Sequence, residues 1–229
     1  MLVFNIDNVL KRNKMSNKIK IDIISDVVCP WCIIGYGNLK KAITELALED
    51  RVEIEWQPFE LNPNMPLEGE ELSAHSARKY GSTPESSAKF RTEMTAHGKT
   101  VDFDFNFFEG MKIVNTRDAH ILLEYAKSQG KQTALKLRLF SAFFTEKKDI
   151  SDREILAQEL ATVGLNVEEA MAKLQSHQAI EMLIDQESYW QKLGVSSVPT
   201  VVFNGKSALA GAQPVETFIQ ILVEQLKNS

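Results

Sequence analysis

From Ile19 the chain alternates apolar and polar residues through "IKIDIIS", which predicts a strand over 19–25. From Trp31 to Leu48 the apolar residues Ile34, Leu39, Ile43, Leu46 and Ala47 fall at helical spacing. Asp50 and Arg51 punctuate that run. Alternation then returns at Val52, Ile54 and Trp56, and Pro58 ends it. The three segments predict a strand–helix–strand unit of about 40 residues, a parallel pair joined by a crossover helix.

The middle of the chain changes period. "LNPNMPLEGEELSAHSARKYGSTPESSAKF" carries three prolines and few strand formers. Thr83-Pro84-Glu85 suits a helix start, with Pro84 in the first turn. Helical spacing follows over 116–127 (Ala119, Leu122, Leu123, Ala126) and over 133–144 (Leu135, Leu139, Phe140, Phe143, Phe144). Ser151 followed by Glu154 is a capping-box pattern and predicts a helix over 151–163. Residues 167–193 form another long helical stretch, read as one helix or two. "PTVVFNG" is then strand-like, and Asn204-Gly205 predicts a hairpin into "KSALAGA". A last helix spans 213–226, with apolar Val215, Phe218, Ile219, Leu222, Val223 and Leu226. The predicted order is β-α-β, a helical block over about 62–190, then β-β-α. If the two β parts share a sheet, the helical block is an insertion into one α/β domain.

The 229 residues suffice for one large domain with a sizeable core. A net charge of −5 argues against nucleic-acid or anionic-membrane partners. The basic cluster Lys11, Arg12, Lys14, Lys18 and Lys20 reads as a solvated N-terminal tail. No apolar run approaches the roughly 18 residues of a membrane span. "MLVFNIDNVL" lacks a basic leader and a small-residue cleavage site, so it is a poor signal peptide. Met15 is a second plausible start, and residues 1–17 read as a disordered extension. The expected compartment is therefore a reducing cytoplasm, where a structural disulfide is disfavoured.

Against that background, both cysteines of the chain lie in "DVVCPWCIIG", at Cys29 and Cys32. Three readings are open: a redox couple, half of a zinc site, or two apolar residues. His75, His97, His120 and His177 do not offer the spacing of a second zinc ligand pair, which weakens the zinc reading. Cys29 falls at the start of the predicted helix, near unpaired N–H groups and the positive dipole end. Pro30 suits the first helical turn, and Trp31 offers an apolar cover or substrate contact. Cys32 lies one turn inside, the natural resolving thiol. Neither intervening residue is charged, so a moderately stabilised thiolate is expected.

A strand leading into CxxC at a helix start, with "VPT" far downstream before a hairpin and final helix, resembles the thioredoxin fold. The large helical insert is similar to the DsbA-type branch. "CPWCIIG", "WQPFELNP", "NTRDAHILLEYA", "LFSAFF", "VSSVPTVVFNG" and "LAGAQPVETF" resemble its FrnE-like group, which is related to 2-hydroxychromene-2-carboxylate isomerases. The resemblance covers about Lys18 to Leu226. It implies an α/β thioredoxin fold divided into 18–61 (β-α-β with CxxC), a helical insertion over 62–193, and 194–229 (β-β-α). It also implies a cis Pro199, with Val198 offering backbone groups to a bound substrate.

The function expected from this is thiol–disulfide exchange. Cys29 and Cys32 are the catalytic pair, and Val198, Pro199, Pro30 and Trp31 contact substrate. The expected partners are protein dithiols or disulfides, or small thiols. No metal or resident cofactor is expected, and glutathione is the co-substrate considered. The protein is expected as a monomer or homodimer. Two alternatives remain at this point: a glutathione-dependent isomerase or tailoring enzyme on a small molecule, and a redox-regulated chaperone-like module. Those isomerases usually carry serine in place of Cys29, which counts against the first. Asp26, His120, Asn115 and Arg117 are weaker site candidates. His120 is read as structural before catalytic. Trp56, Phe59 and the phenylalanines of "VDFDFNFFEG" are read as core or lid before binding surface, although an exposed rim there would suit unfolded clients.

Overall fold

The computed structural model describes residues 18–228; the expected N-terminal extension over 1–17 lies outside the described residues. Strand β1 (Ile19–Ser25) is followed by helix α1 (Pro30–Glu45) and strand β2 (Val52–Pro58). β1 and β2 pair in parallel from Ile19↔Val52 to Ser25↔Pro58, as the crossover pattern predicts. Near the other end of the chain lie β5 (Thr200–Phe203), β6 (Ser207–Ala210) and the last helix, α9 (Val215–Lys227). β5 pairs antiparallel with β1, Ile24 facing Thr200, so the sheet runs β2-β1-β5-β6. The two β parts therefore share one sheet. β1 is central, with Ile21 and Ile24 fully buried, and even its polar Asp22 is buried. Gln57 Nε2 donates to that carboxylate at 2.7 Å, which satisfies the group.

Between β2 and β5 come α2 (Leu72–Tyr80), α3 (Pro84–Thr100), α4 (Arg117–Ser128), α5 (Gln132–Phe144), α6 (Arg153–Thr162), α7 (Val167–Lys173) and α8 (His177–Lys192). The stretch read as one helix or two is thus two. A small antiparallel ladder, β3 (Glu70–Glu71) with β4 (Lys112–Ile113), joins segments that the sequence reading took as purely helical. Two-residue strands have no period to detect. A second difference concerns the start of α6. Its cap is Asp152, whose side chain accepts from Glu154 N–H, while Ser151 Oγ donates to Asp149 Oδ1 at 2.6 Å. The capping-box spacing placed the cap one residue early because Asp152 is an equally good cap. Thr83 does cap α3, in a reciprocal box with Ser86.

Gln132 fastens the insertion to the backbone of the sheet edge. Trp56 N–H donates to Gln132 Oε1 at 2.9 Å, and Gln132 Nε2 donates to Trp56 O at 2.8 Å. An edge strand otherwise exposes such groups to water or to another chain. Trp56 Nε1 adds a hydrogen bond to Thr133 Oγ1 at 3.0 Å. Around this clamp Trp56, Phe140, Phe143 and Phe144 join the same apolar cluster as β1 and α1. The sheet and the insertion thus share one core. Phe105 is buried in it, and Phe103, Phe107 and Phe108 pack against it. The "VDFDFNFFEG" phenylalanines extend the core and form no exposed rim.

Replacing Gln132 by leucine removes both partners of buried backbone groups. We expect Q132L to lower the unfolding free energy by about 1–3 kcal/mol. Urea denaturation checks this, and an unchanged midpoint and slope would contradict the clamp.

Candidate active site

Strand pairing explains why residues far apart in sequence meet here. β1 ends at Ser25 and β5 begins at Thr200, beside Ile24. The segments just beyond, 26–29 and 198–199, therefore emerge at the same end of the sheet. Cys29 Sγ lies 3.7 Å from Val198 O, although 169 positions separate the two residues. The Val198-Pro199 peptide is cis. Helix α1 packs closely on this proline, since a Cβ on Gly35 would lie only 3.1 Å from Pro199 Cγ. Glycine at 35 permits that approach.

Cys29 is the N-cap of α1, with extended φ −97 and ψ 110, and Pro30 occupies the first turn. No side chain caps this end, and the positive end of the helix dipole favours a negative charge on the cysteines. Both sulfurs are unbonded and buried, Cys29 at 4% and Cys32 at 0% exposure. Cys32 is the more deeply buried of the two residues. Trp31 is 36% exposed and leans on Phe90 and His97, with ring centroids at 6.5 and 5.4 Å. Among the described residues no group of three or more His, Cys, Asp or Glu side chains is placed to hold a metal ion.

Beneath the pair lies a buried charged set. Lys136, from α5, is 1% exposed. Its Nζ reaches Ser25 O at 3.4 Å and sits over the Trp56 and Phe140 rings at 5.3 and 5.2 Å. Asp26 is fully buried; His120 Nε2 donates to its Oδ1 at 3.2 Å and Leu61 N–H to its Oδ2 at 2.8 Å. Burial alone would raise the Asp26 carboxyl. The hydrogen bond and charge of His120, the Leu61 N–H and Lys136 outweigh it and hold the group below its ordinary range. Burial pulls Lys136 down to about 8, against the opposing pull of Cys32, Asp26 and Cys29. The ammonium is thus largely present at neutral pH and lost just above it.

The two thiols titrate as one unit. Burial works against a thiolate at Cys32, but the Cys29 S–H, the Ser25 hydroxyl and Lys136 overcome it, so this proton leaves below the ordinary thiol range. The Cys29 proton is pushed well up, because its S–H is bound to Cys32 and because of burial and the Cys32 charge. Of the two thiols, Cys32 is therefore the one that gives up its proton first. This refines the expectation of an isolated Cys29 thiolate beside no charge: Pro30 and Trp31 are neutral, but the insertion supplies a cation.

The other candidates divide. His120 is buried on Asp26 and reaches the thiols only through it. Asn115 Nδ2 donates to Met65 O at 2.8 Å, and Arg117 pairs with Glu60 Oε2 at 2.9 Å. Both fasten the loop after β2 and do not touch the cysteines. Lys136 was missed by sequence reasoning, yet the signal existed. Gln132, Leu135, Lys136, Leu139, Phe140 and Phe143 are all buried at helical spacing, with a lysine in the middle of the stripe.

The DSBA-like thioredoxin domain family matches residues 20–223. An uncharacterised Bacillus subtilis protein, YwbO, is 26% identical over 92% of this chain and 98% of its own length. A probable DsbA oxidoreductase of Streptomyces coelicolor superposes with a TM-score of 0.85, at 27% identity over 92% of this chain and 91% of the other. The cytosolic disulfide reductase DsbM of Pseudomonas aeruginosa shares the fold at a TM-score of 0.65 and 17% identity, over 92% of this chain and 100% of the other. With the family match spanning nearly the whole chain, and the helical insertion between the two halves of the sheet, this protein belongs to the DSBA-like thioredoxin domain family.

Proposed function

We propose that the protein is a thiol–disulfide oxidoreductase in which Cys29 is the attacking sulfur and Cys32 the resolving one. The observation that carries this reading is the 3.7 Å approach of Cys29 Sγ to the backbone carbonyl of Val198, before the cis Pro199. A substrate chain lying along Val198 has its own sulfur next to Cys29. The proton of Cys29 moves to Cys32 within the shared pair, which frees the Cys29 thiolate for attack. Attack breaks the substrate S–S bond, the departing thiolate takes the proton from Cys32, and the Cys32 thiolate then opens the mixed disulfide. Lys136 compensates the negative charge on Cys32 before that second step. The family relationship and the 27% identical probable DsbA oxidoreductase support thiol–disulfide chemistry. We take the partners to be protein or small-molecule disulfides and thiols. Two cysteines, both within the pair, suit a reducing cytoplasm with glutathione as electron donor or acceptor.

Insulin-disulfide reduction with Cys29→Ser tests the assignment. We expect C29S to lose at least about a hundredfold in rate, because the remaining thiol is fully buried. Cys32→Ser is expected to accumulate a mixed disulfide on Cys29, visible by intact mass. Parent-like turnover by C29S would contradict the reading.

Lys136→Met tests the cation. A nearby positive charge lowers a thiol pKa, so removing it raises the apparent pKa of alkylation by about one unit or more. At pH 7 the variant is expected to react with iodoacetamide about tenfold more slowly. The parent's advantage should shrink above about pH 8, where Lys136 itself loses its proton. Removing Lys136 leaves buried Asp26 without one of its compensating charges, so the thermal midpoint of K136M is expected below the parent's, and the comparison is made where the variant is fully folded. Superimposable pH–rate profiles would contradict the role.

A further inference from the structure

A cavity of about 440 Å³ opens beside the cysteines, between α1, α2 and α3. Val28 and Pro30, the two neighbours of Cys29 in sequence, both line it. On the oxidoreductase reading above, a molecule held there lies next to the attacking sulfur. The volume falls within the range of small-molecule sites, which are apolar chambers with a few polar points. Trp31, Phe90, Phe107 and Phe144 supply aromatic walls. Trp31 and Phe90 meet edge to face at 6.5 Å and are left 36% and 39% exposed. Partly exposed rings facing an open chamber favour an occupant that covers them.

The polar points are few. His75 lines the chamber while being only 3% exposed as a residue. Its Nδ1 is 2.6 Å from Glu70 Oε2, and a carboxylate accepts, so Nδ1 carries the proton. Nε2 makes no hydrogen bond to any described residue, which leaves it for a ligand. Arg91 and Ser87 also line the wall, from α3. Tyr80, on α2, lines it too and is 64% exposed.

We infer that this cavity is the subsite for the body of a low-molecular-weight disulfide with an apolar, ring-sized substituent near its sulfur. Glutathione disulfide is the wrong chemistry for it, because several carboxylates would be buried against aromatic walls with one arginine to meet them. In the reaction, the Cys29 thiolate attacks one substrate sulfur and the substrate S–S bond breaks. The departing thiolate takes up a proton. Cys32 then displaces the second thiol and closes the Cys29–Cys32 disulfide. Two electrons and two protons pass from the protein dithiol to the substrate, which leaves as two thiols.

The test is single-turnover oxidation of the reduced protein, followed by intact mass, with three probes. These are benzyl 2-hydroxyethyl disulfide, bis(2-hydroxyethyl) disulfide and glutathione disulfide. The benzyl compound is expected to react at least about tenfold faster than either of the others. Ser87→Phe, which fills the chamber, and Phe90→Ala, which removes a wall at a partly exposed position, should each bring that ratio to within about twofold of unity. F90A decides the question if S87F fails to fold. Equal rates in the parent, a preference for glutathione disulfide, or a ratio retained in the folded variants would each overturn the subsite while leaving the oxidoreductase reading intact. If no probe oxidises the pair, both readings fail.

Discussion

The amide of Gln132 takes both backbone groups of Trp56 at the open edge of the sheet, and the placing of the active site depends on that clamp. A β edge needs a cover, and here the cover is the first turn of a helix that belongs to the insertion. Once that turn is fixed, helical geometry leaves no choice about what comes next. Lys136, one turn on, must point the same way as Gln132. It arrives over Trp56 and against Ser25 O, at the end of the central strand that leads into the cysteines. The insertion therefore does more than enlarge the core. It delivers a buried cation to the cysteine pair.

Two opposing costs are balanced in that arrangement. A buried ammonium, a buried carboxylate and two buried thiols are each unfavourable alone. Together they offset one another, with His120 and the Leu61 N–H holding Asp26 ionised. The lysine stays close to its own titration point, since burial pulls it to about 8. Its charge is thus sensitive to that of the pair, and the pair's to it. The N-terminus of α1, which no side chain caps, adds its positive dipole end. A negative charge on the pair is favoured by elements from two separate parts of the chain, α1 and α5, brought together by the β2–β1 pairing and the Gln132 clamp.

Much of this was legible in the sequence. Period two at 19–25 and 52–56, the hairpin turn at Asn204-Gly205 and the long helical runs give the parallel pair, the hairpin and the final helix, because buried faces impose their period. Cys29, Cys32 and Pro199 were legible as a pair of motifs in the right strand order. Lys136 was not recovered, although it sits on the apolar stripe of α5. A lysine between leucines is normally read as a solvated or snorkelling side chain. Only the edge of β2 and the place of Trp56 show that this stripe faces the thiols. The β3–β4 ladder and the Asp152 cap escaped for a different reason: each is set by one or two residues, too short for any pattern to register. The chamber beside Cys29 is assembled from four separate segments, and no local spacing marks it.

The central claim is that Cys29 and Cys32 form one reversible redox unit. Equilibrating the protein across a series of glutathione redox buffers and counting species by acid-quenched intact mass tests it directly. The account predicts a single two-electron transition between the dithiol and the intramolecular Cys29–Cys32 disulfide, with no glutathionylated form retained at equilibrium. A protein that stays a dithiol at every ratio, or that stops as a stable glutathione mixed disulfide on Cys29, would contradict it.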